Sequence, residues 1–592
     1  MVIFILVCLL YLSTYGSTSW SSFGPPFFTK VNQQHGHDAN DETSFDADDY
    51  EPLPNDHFLP GPGLHEDGTL PTTLLNSIPY RANASDLVTV ELLCILDDHF
   101  CSKVLVALKD AAQEFTQVVH LKTKLVIRAA YYEFCEHICA NDTYGLGAPS
   151  SQFTLPFKDD DMNFIYPQAL AKQLSPYEYT ASWVYHDVMI ELNHDPYMNS
   201  INHNYDHGNG IPPFGKYWFK GDPDIRPYQI DFEYILLHEI LHGVGFVSSW
   251  AAYFANNASP FHTLLDNIFD QTELQMVTPS PYWSVQPPTG PTFVTGFQPT
   301  MIFDKFLFLA NNSNNNDKFS HMSLATKKNN ASLMDLGFTM QDFCVQGHEA
   351  FIIHFMETFK HSSQAQEARE LYSMLTQEHA LTFQFEPMMF NSSHSNMTYS
   401  ILDYLNDTYT HMNLLTGEQT LNALNHHEQS GRLFRPGVTI AHVGDELQGT
   451  PDFIMTETYR EGKTLQQWVD EVYATVPVIH YKIVLNESTT VERIYKSPIG
   501  PGILRILDTI GYVTILDHTN GTGNDEKQQP YNSMMKKTKN SHRNVCDDMH
   551  TTLFGKMGTK SKTPMTRFTS NTSKHQTSHL IKIWFLIILI VY

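Results

Sequence analysis

Basic side chains are scarce in this chain of 592 residues: 37 Lys and Arg stand against 64 Asp and Glu, a formal net charge of −27. That imbalance excludes a phosphate-binding surface as the protein's main business, so nucleic acid is a poor partner. Internal repeats are lacking too. A hydrophobic fraction of 42% with 31 Gly and 32 Pro excludes collagen-like or largely disordered composition and points to globular structure. Cysteine is sparse. Of seven, Cys8 lies in an apolar N-terminal run, leaving Cys94, Cys101, Cys135, Cys139, Cys344 and Cys546, an even set suited to disulfides in an exported protein.

Neither apolar terminus has the roughly 20 residues needed to cross a bilayer as a helix. Residues 1–17, with the run Ile3–Leu12 followed by small residues, read as a signal peptide. At the other end, the apolar tail Leu580–Tyr592 follows a polar spacer and the small residues Ser570-Asn571-Thr572-Ser573, the layout of a GPI-attachment signal over 571–592 with Ser570 or Asn571 as the attachment residue. The expected location is extracellular, secreted or held at the cell surface through a lipid anchor. Asn-x-Ser/Thr acceptors for glycosylation at Asn83, Asn141, Asn257, Asn311, Asn330, Asn391, Asn396, Asn406, Asn486, Asn520 and Asn571 suit the same compartment.

Residues 18–85 are acidic and broken by Pro and Gly, which reads as a flexible propeptide or linker. From Leu87 the pattern becomes β-α-β: a strand over 87–96, a helix over 103–119 and a strand over 124–132. A further strand candidate at 187–193 precedes Phe232–Phe246, which reads as a buried helix. Residues 250–435 are Asn-rich and irregular with scattered helical runs such as 347–375, and 516–570 reads as a Ser-, Thr-, Lys- and Asn-rich stalk. Cys94 with Cys101, and Cys135 with Cys139, are spaced for local bridges. A second zinc site from Cys135, His137 and Cys139 is the less favoured reading in an oxidising compartment.

The chemistry concentrates in Leu236-Leu-His238-Glu239-Ile-Leu-His242-Gly-Val-Gly245-Phe246. On a helix, residues four apart lie one above the other, so His238 and His242 aim two imidazoles at one point and Glu239 projects beside them as a general base. Without a metal, three polar groups on an apolar helix would be costly to bury. A catalytic zinc needs a third protein ligand and an open position. Two stretches compete for the third ligand, each ending in a Met thirteen residues after a His: His321 to Met334 and His442 to Met455.

The His-Glu-x-x-His-x-x-Gly-Phe motif is followed by a long insertion, then by Arg435-Pro-Gly-Val-Thr-Ile-Ala-His442, Ile454-Met455, and a terminal apolar run ending in Gly511-Tyr512. This series resembles the leishmanolysin-like branch of the metzincin zinc peptidases, and Tyr144–Pro149 and Tyr166–Ala171 are also similar to segments of that branch. The resemblance spans about 86–515. It implies an α+β, metzincin-like zincin catalytic domain with a long insertion, 250–435, between the second and third zinc ligands. By position it makes His442 the third ligand, with His321 as the alternative, Met455 the Met-turn residue beneath the metal, and Glu239 the base. In many metzincins the third His falls where this chain has Ser248, and no Tyr lies two residues past Met455. Tyr459 is a candidate for stabilising an oxyanion, although a core or surface role is the more ordinary reading. Residues 18–85 contain no Cys to block a zinc.

The expected activity is therefore zinc metalloendopeptidase hydrolysis of a protein or peptide substrate, with Zn2+ as cofactor. The alternatives are a catalytically silent surface or adhesion protein that keeps the fold, and a zinc hydrolase acting on something other than peptides.

Overall fold

Short runs of strand length after residue 79, most of them apolar, assemble a five-stranded sheet. The computed structural model of the protein describes residues 70–136, 143–157, 160–161, 164–175, 183–201, 211–255, 261–285, 292–310, 331–385, 399–417, 440–486 and 489–516. The chain divides into two compact units, Met1–Asn544 and Val545–Tyr592, and all described residues belong to the first. The signal peptide, the GPI signal with Ser570 and Asn571, nearly all of the proposed stalk, His321, Cys139 and Cys546 lie outside the described residues. So do Arg435-Pro-Gly and the acceptors Asn141, Asn257, Asn311, Asn330, Asn391, Asn396 and Asn520. No described helix is long and apolar enough to cross a membrane.

The sheet comprises β1 (Tyr80–Ser85), β2 (Val88–Cys94), β3 (Leu125–Tyr132), β4 (Gly145–Pro149) and β5 (Val188–Asn193) in the order β1-β2-β3-β5-β4. Strands β2, β3 and β5 run parallel, and the two edge strands, β1 and β4, are antiparallel to their neighbours. Residues 80–85 belong by composition to the expected linker, yet they form an edge strand. Their polar alternation fits a half-exposed position that borrows its hydrogen bonds from β2. Helix α1 (Asp98–Val118) is capped by Asp97, which accepts from Phe100 N at 3.0 Å. It buries Phe100, Val104, Leu108, Ala111, Phe115 and Val118, a stripe at helical spacing, and starts further upstream than its apolar residues alone indicated. A Cys94–Cys101 disulfide ties the end of β2 to its first turn. Cys135 and Cys344 are also disulfide-bonded.

After the short helix α2 (Gln168–Leu174), helix α3 (Phe232–Val244) is buried at every residue but Glu233, so it runs through the core instead of over the surface. It packs against α1, β4 and β5. Its close approach to β4 depends on glycine: a Cβ on Gly147 would lie 2.0 Å from the Glu239 carbonyl oxygen. The 250–435 region is structured in its described parts, with helices α4 (Leu333–Gln341), α5 (Ile352–Phe359), α6 (Ser363–Leu375) and α7 (Ile401–Thr408). Strands β6 (Leu307–Leu309), β7 (Leu381–Gln384) and β8 (His411–Asn413) make a second, antiparallel sheet. The single helical run expected at 347–375 is two helices, α5 and α6, separated at 360–362, where Ser362 caps α6 by accepting from Ala365 N. After α8 (Leu465–Tyr473), the terminal helix α9 (Pro501–Ile510) returns to the core, and the Tyr512 hydroxyl donates to the Val244 carbonyl at 2.8 Å.

Two buried carboxylates fasten these pieces. Asp231 caps α3 by accepting from Glu233 N at 3.1 Å and also accepts from Leu465 N at the start of α8, at 2.8 Å. Asp452 accepts from Ile503 N in the first turn of α9 at 2.9 Å and from the Tyr409 hydroxyl at 2.6 Å. Burial pushes the Asp452 carboxyl up to about 6, while its hydrogen bonds act the other way.

Two tests follow from this packing. Gly147→Ala forces a methyl group into the Glu239 backbone and is expected to destabilise the fold by about 3 kcal/mol in denaturant unfolding. Gly449→Ala, whose Cβ would meet nothing within 4 Å, is the matched control and should be nearly neutral. For Asp452 the folded state binds its proton more tightly than the unfolded chain does. Its contribution therefore becomes more favourable as pH falls from 7 towards 4, by up to about 3 kcal/mol for a shift of about two units. The stability difference between wild type and Asp452→Asn should grow in favour of wild type over that range, and a flat difference would refute the assignment.

Candidate metal centre

The C-terminus of α3 sets the site. Gly245 takes φ 132°, which side-chain-bearing residues rarely adopt, and closes the helix through Gly245 N to His242 O at 3.1 Å and Phe246 N to Leu241 O at 3.0 Å. That reversal brings the Phe246 carbonyl back to the helix, where His242 Nδ1 donates to it at 2.8 Å. His238 Nδ1 donates in the same way to the Ile454 carbonyl at 2.7 Å. With each Nδ1 committed as a donor, each Nε2 presents its lone pair inward.

His442 completes the arrangement from the far side of the insertion. The His238–His242, His238–His442 and His242–His442 separations between Nε2 atoms are 3.1, 3.2 and 3.3 Å. Three nitrogens each ~2.0–2.1 Å from a tetrahedral zinc lie about 3.3 Å apart, so the three imidazoles fit that ion with little adjustment. They are also the one group of three or more metal-binding side chains brought together among the described residues. All three are buried. Burial lowers the pKa of His242 to about 4 and that of His238 well below the ordinary range, the latter with help from the other two rings, so the Nε2 atoms of these two stay unprotonated and able to bind.

His442 is held by backbone on both flanks. Leu415 N donates to its carbonyl at 2.8 Å, and Val443 bridges to Leu414 on one side and Thr456 on the other. Strand β8 of the insertion thus continues into the third histidine's seat. Met455 is fully buried in the turn Phe453–Met455, and its carbonyl accepts from Val443 N at 2.9 Å. Ser248, at the position where many metzincins carry a ligand, is instead a buried acceptor for Trp250 N at 3.1 Å. Met334, the other candidate turn residue, is partly buried against the core.

Glu239 lies between β4 and the segment after Met455. A Cβ at Gly145 would stand 3.0 Å from its Oε1, and the Tyr459 hydroxyl donates to the same oxygen at 2.8 Å. Burial and the adjacent Glu239 carboxylate keep that phenol protonated, its pKa well above the ordinary value. Tyr459 is therefore neither an ordinary core residue nor a surface one, and its partnership with Glu239 had no signal in spacing. The roles of Gly145 and Gly147 could have been found, because paired glycines within a strand pattern mark a close backbone approach. Of the expected glycosylation sites, Asn83 on β1 and Asn406 on α7 are exposed, and Asn486 lies on the strand His480–Asn486.

The uncharacterized protein PB7E8.01 of Schizosaccharomyces pombe is similar to this chain, with 24% identity over 220 residues that cover 31% of this chain and 34% of that protein. The match thus spans about a third of the relative's length. No solved structure matches. The family model described as SPBPB7E8-like matches residues 70–541, which include every described element of the sheet, the insertion and the three histidines, and the chain accordingly belongs to the SPBPB7E8-like family.

Proposed function

We propose that the protein is a zinc metalloendopeptidase with His238, His242 and His442 as metal ligands and Glu239 as general base, built on a zincin-like fold of the leishmanolysin type. The observation that carries the reading is the convergence of three buried imidazole Nε2 atoms beside a carboxylate on the helix that carries two of them. A zinc ion held there supplies Lewis acidity, which acidifies water and polarises a carbonyl. Glu239 takes the proton of the attacking water and delivers it to the leaving amine. Strand β4 is the sheet edge beside Glu239, and an edge strand offers main-chain donors and acceptors to an extended peptide. That geometry supports a peptide substrate over a small molecule. Export and a lipid anchor remain part of the reading on the strength of the two apolar termini.

The test uses residues 18–570 expressed as a secreted protein. Wild type should carry one zinc per chain and cleave casein in a chelator-sensitive manner. Glu239→Ala should keep the zinc and lose about a thousandfold or more in cleavage rate, the order a general base contributes. His442→Ala should lose the metal. Zinc retained in His442→Ala would move the third ligand to His321, and zinc-loaded wild type that cleaves no protein would sink the peptidase reading in favour of a silent surface protein.

A further inference from the structure

Glu239 is confined more tightly than its place on a helix requires. On one side the β4 backbone passes so close that a Cβ at Gly145 would stand 3.0 Å from its Cγ and Oε1. On the other, the Tyr459 hydroxyl donates to Oε1 at 2.8 Å. The phenol is placed by packing and not by a flexible tether. Its ring stands edge-on to Tyr144 at 5.7 Å and to Tyr234 at 5.2 Å, and tilts against His238 at 5.1 Å. The loop that carries it is pinned as well. The Thr458 carbonyl accepts from Gln448 Nε2 at 3.3 Å and from the Thr456 hydroxyl at 3.4 Å, and the latter hydroxyl also donates to Phe453 O at 2.8 Å.

A carboxylate side chain has three rotatable bonds and turns freely about the last of them. A base must meet its proton within hydrogen-bond reach and in the right direction, so loose rotation of Glu239 costs rate. Tyr459 removes that freedom by holding one oxygen. We propose that Tyr459 is a positioning residue for Glu239, acting on the reaction through that carboxylate and not through contact with the substrate's developing oxyanion. The proposal rests on the peptidase reading above and deepens it, since it separates two roles that a tyrosine near such a site could fill.

A double-mutant cycle separates them. Tyr459→Phe, Glu239→Ala and the double variant are compared in the zinc-loaded protein by kcat and KM on a quenched-fluorescent peptide, by zinc content, and by calorimetric affinity for a phosphinic peptide, whose tetrahedral oxygens mimic the oxyanion. A lost hydrogen bond to a charged group predicts a fall in kcat of about tenfold for Tyr459→Phe. KM and zinc content should be unchanged. In the Glu239→Ala background the same substitution should change neither the residual kcat nor the phosphinate Kd by more than about twofold. A phosphinate Kd weakened about tenfold in that background would overturn the proposal and place Tyr459 on the oxyanion. Loss of zinc or of thermal stability in Tyr459→Phe would overturn it in favour of a purely structural role. Because phosphinate binding does not need turnover, the cycle reads out even where Glu239→Ala is inactive. Failure of the peptidase reading would appear separately, as zinc-loaded wild type without cleavage.

Discussion

The hydrogen bond from His238 Nδ1 to the Ile454 carbonyl joins two parts of the chain 216 residues apart, and the geometry of the centre depends on it. One ring does two things. Its Nδ1 fastens helix α3 to the turn that holds Met455, and its Nε2 points at the other two histidines. Without that bond the imidazole could rotate, and the turn would be held to the helix by Tyr234, through its ring and its hydroxyl against Phe453. The cost of the arrangement is electrostatic. Three imidazoles and a carboxylate share a site that water barely enters, and burial of such groups is unfavourable unless something binds them together. A divalent cation at the point where the three Nε2 atoms meet would offset that cost directly, which is why the proposed metal site rests on the donor set more than on the motif.

The paired helix and motif were legible because they are local. The buried helix over 232–244, the strands at 88–94, 125–132 and 188–193, and the positions of His238, Glu239 and His242 follow from periodicity and spacing within a few residues. What was illegible is non-local or conditional on a partner. Strand β1 has a polar, sequon-bearing sequence and becomes a strand only because β2 offers it an edge. Tyr459 gains its meaning from Glu239, which it follows by 220 residues. Asp231 caps its own helix and also binds Leu465 N, of which a sequence shows only the capping half, while Asp452 holds Ile503 N and the Tyr409 hydroxyl, both remote in sequence.

Those two aspartates share a design suited to an acidic chain. Each is buried, each accepts only from neutral backbone or hydroxyl donors, and burial raises the pKa of each to about 6. Buried carboxylates elsewhere take a cation, as Glu91 does from Arg128 and Asp187 from Lys172, but no described ion pair includes Asp231 or Asp452. Neutral donors at fixed distances instead make each aspartate a directional cross-link between segments, whose strength depends on geometry more than on charge.

The distance between the second and third histidines poses the remaining physical problem. A flexible loop whose length grows from about 6 to 200 residues costs roughly 3 kcal/mol more to close, from the logarithmic dependence of closure entropy on length. The insertion avoids much of that cost by being folded itself. Phe303 packs on Phe246, just beyond the second histidine, at 4.9 Å, and on Phe383 of β7 at 5.2 Å. Strand β7 pairs with β8, and the chain beyond β8 bridges through Leu414 to Val443, just beyond the third. A continuous path of packed rings and paired strands therefore runs from the second histidine to the third, so the insertion's own folding supplies the closure. On this argument the insertion is the scaffold that positions His442, and shortening it would have to preserve the path from Phe246 through Phe303, Phe383 and β8 to leave the third imidazole in place.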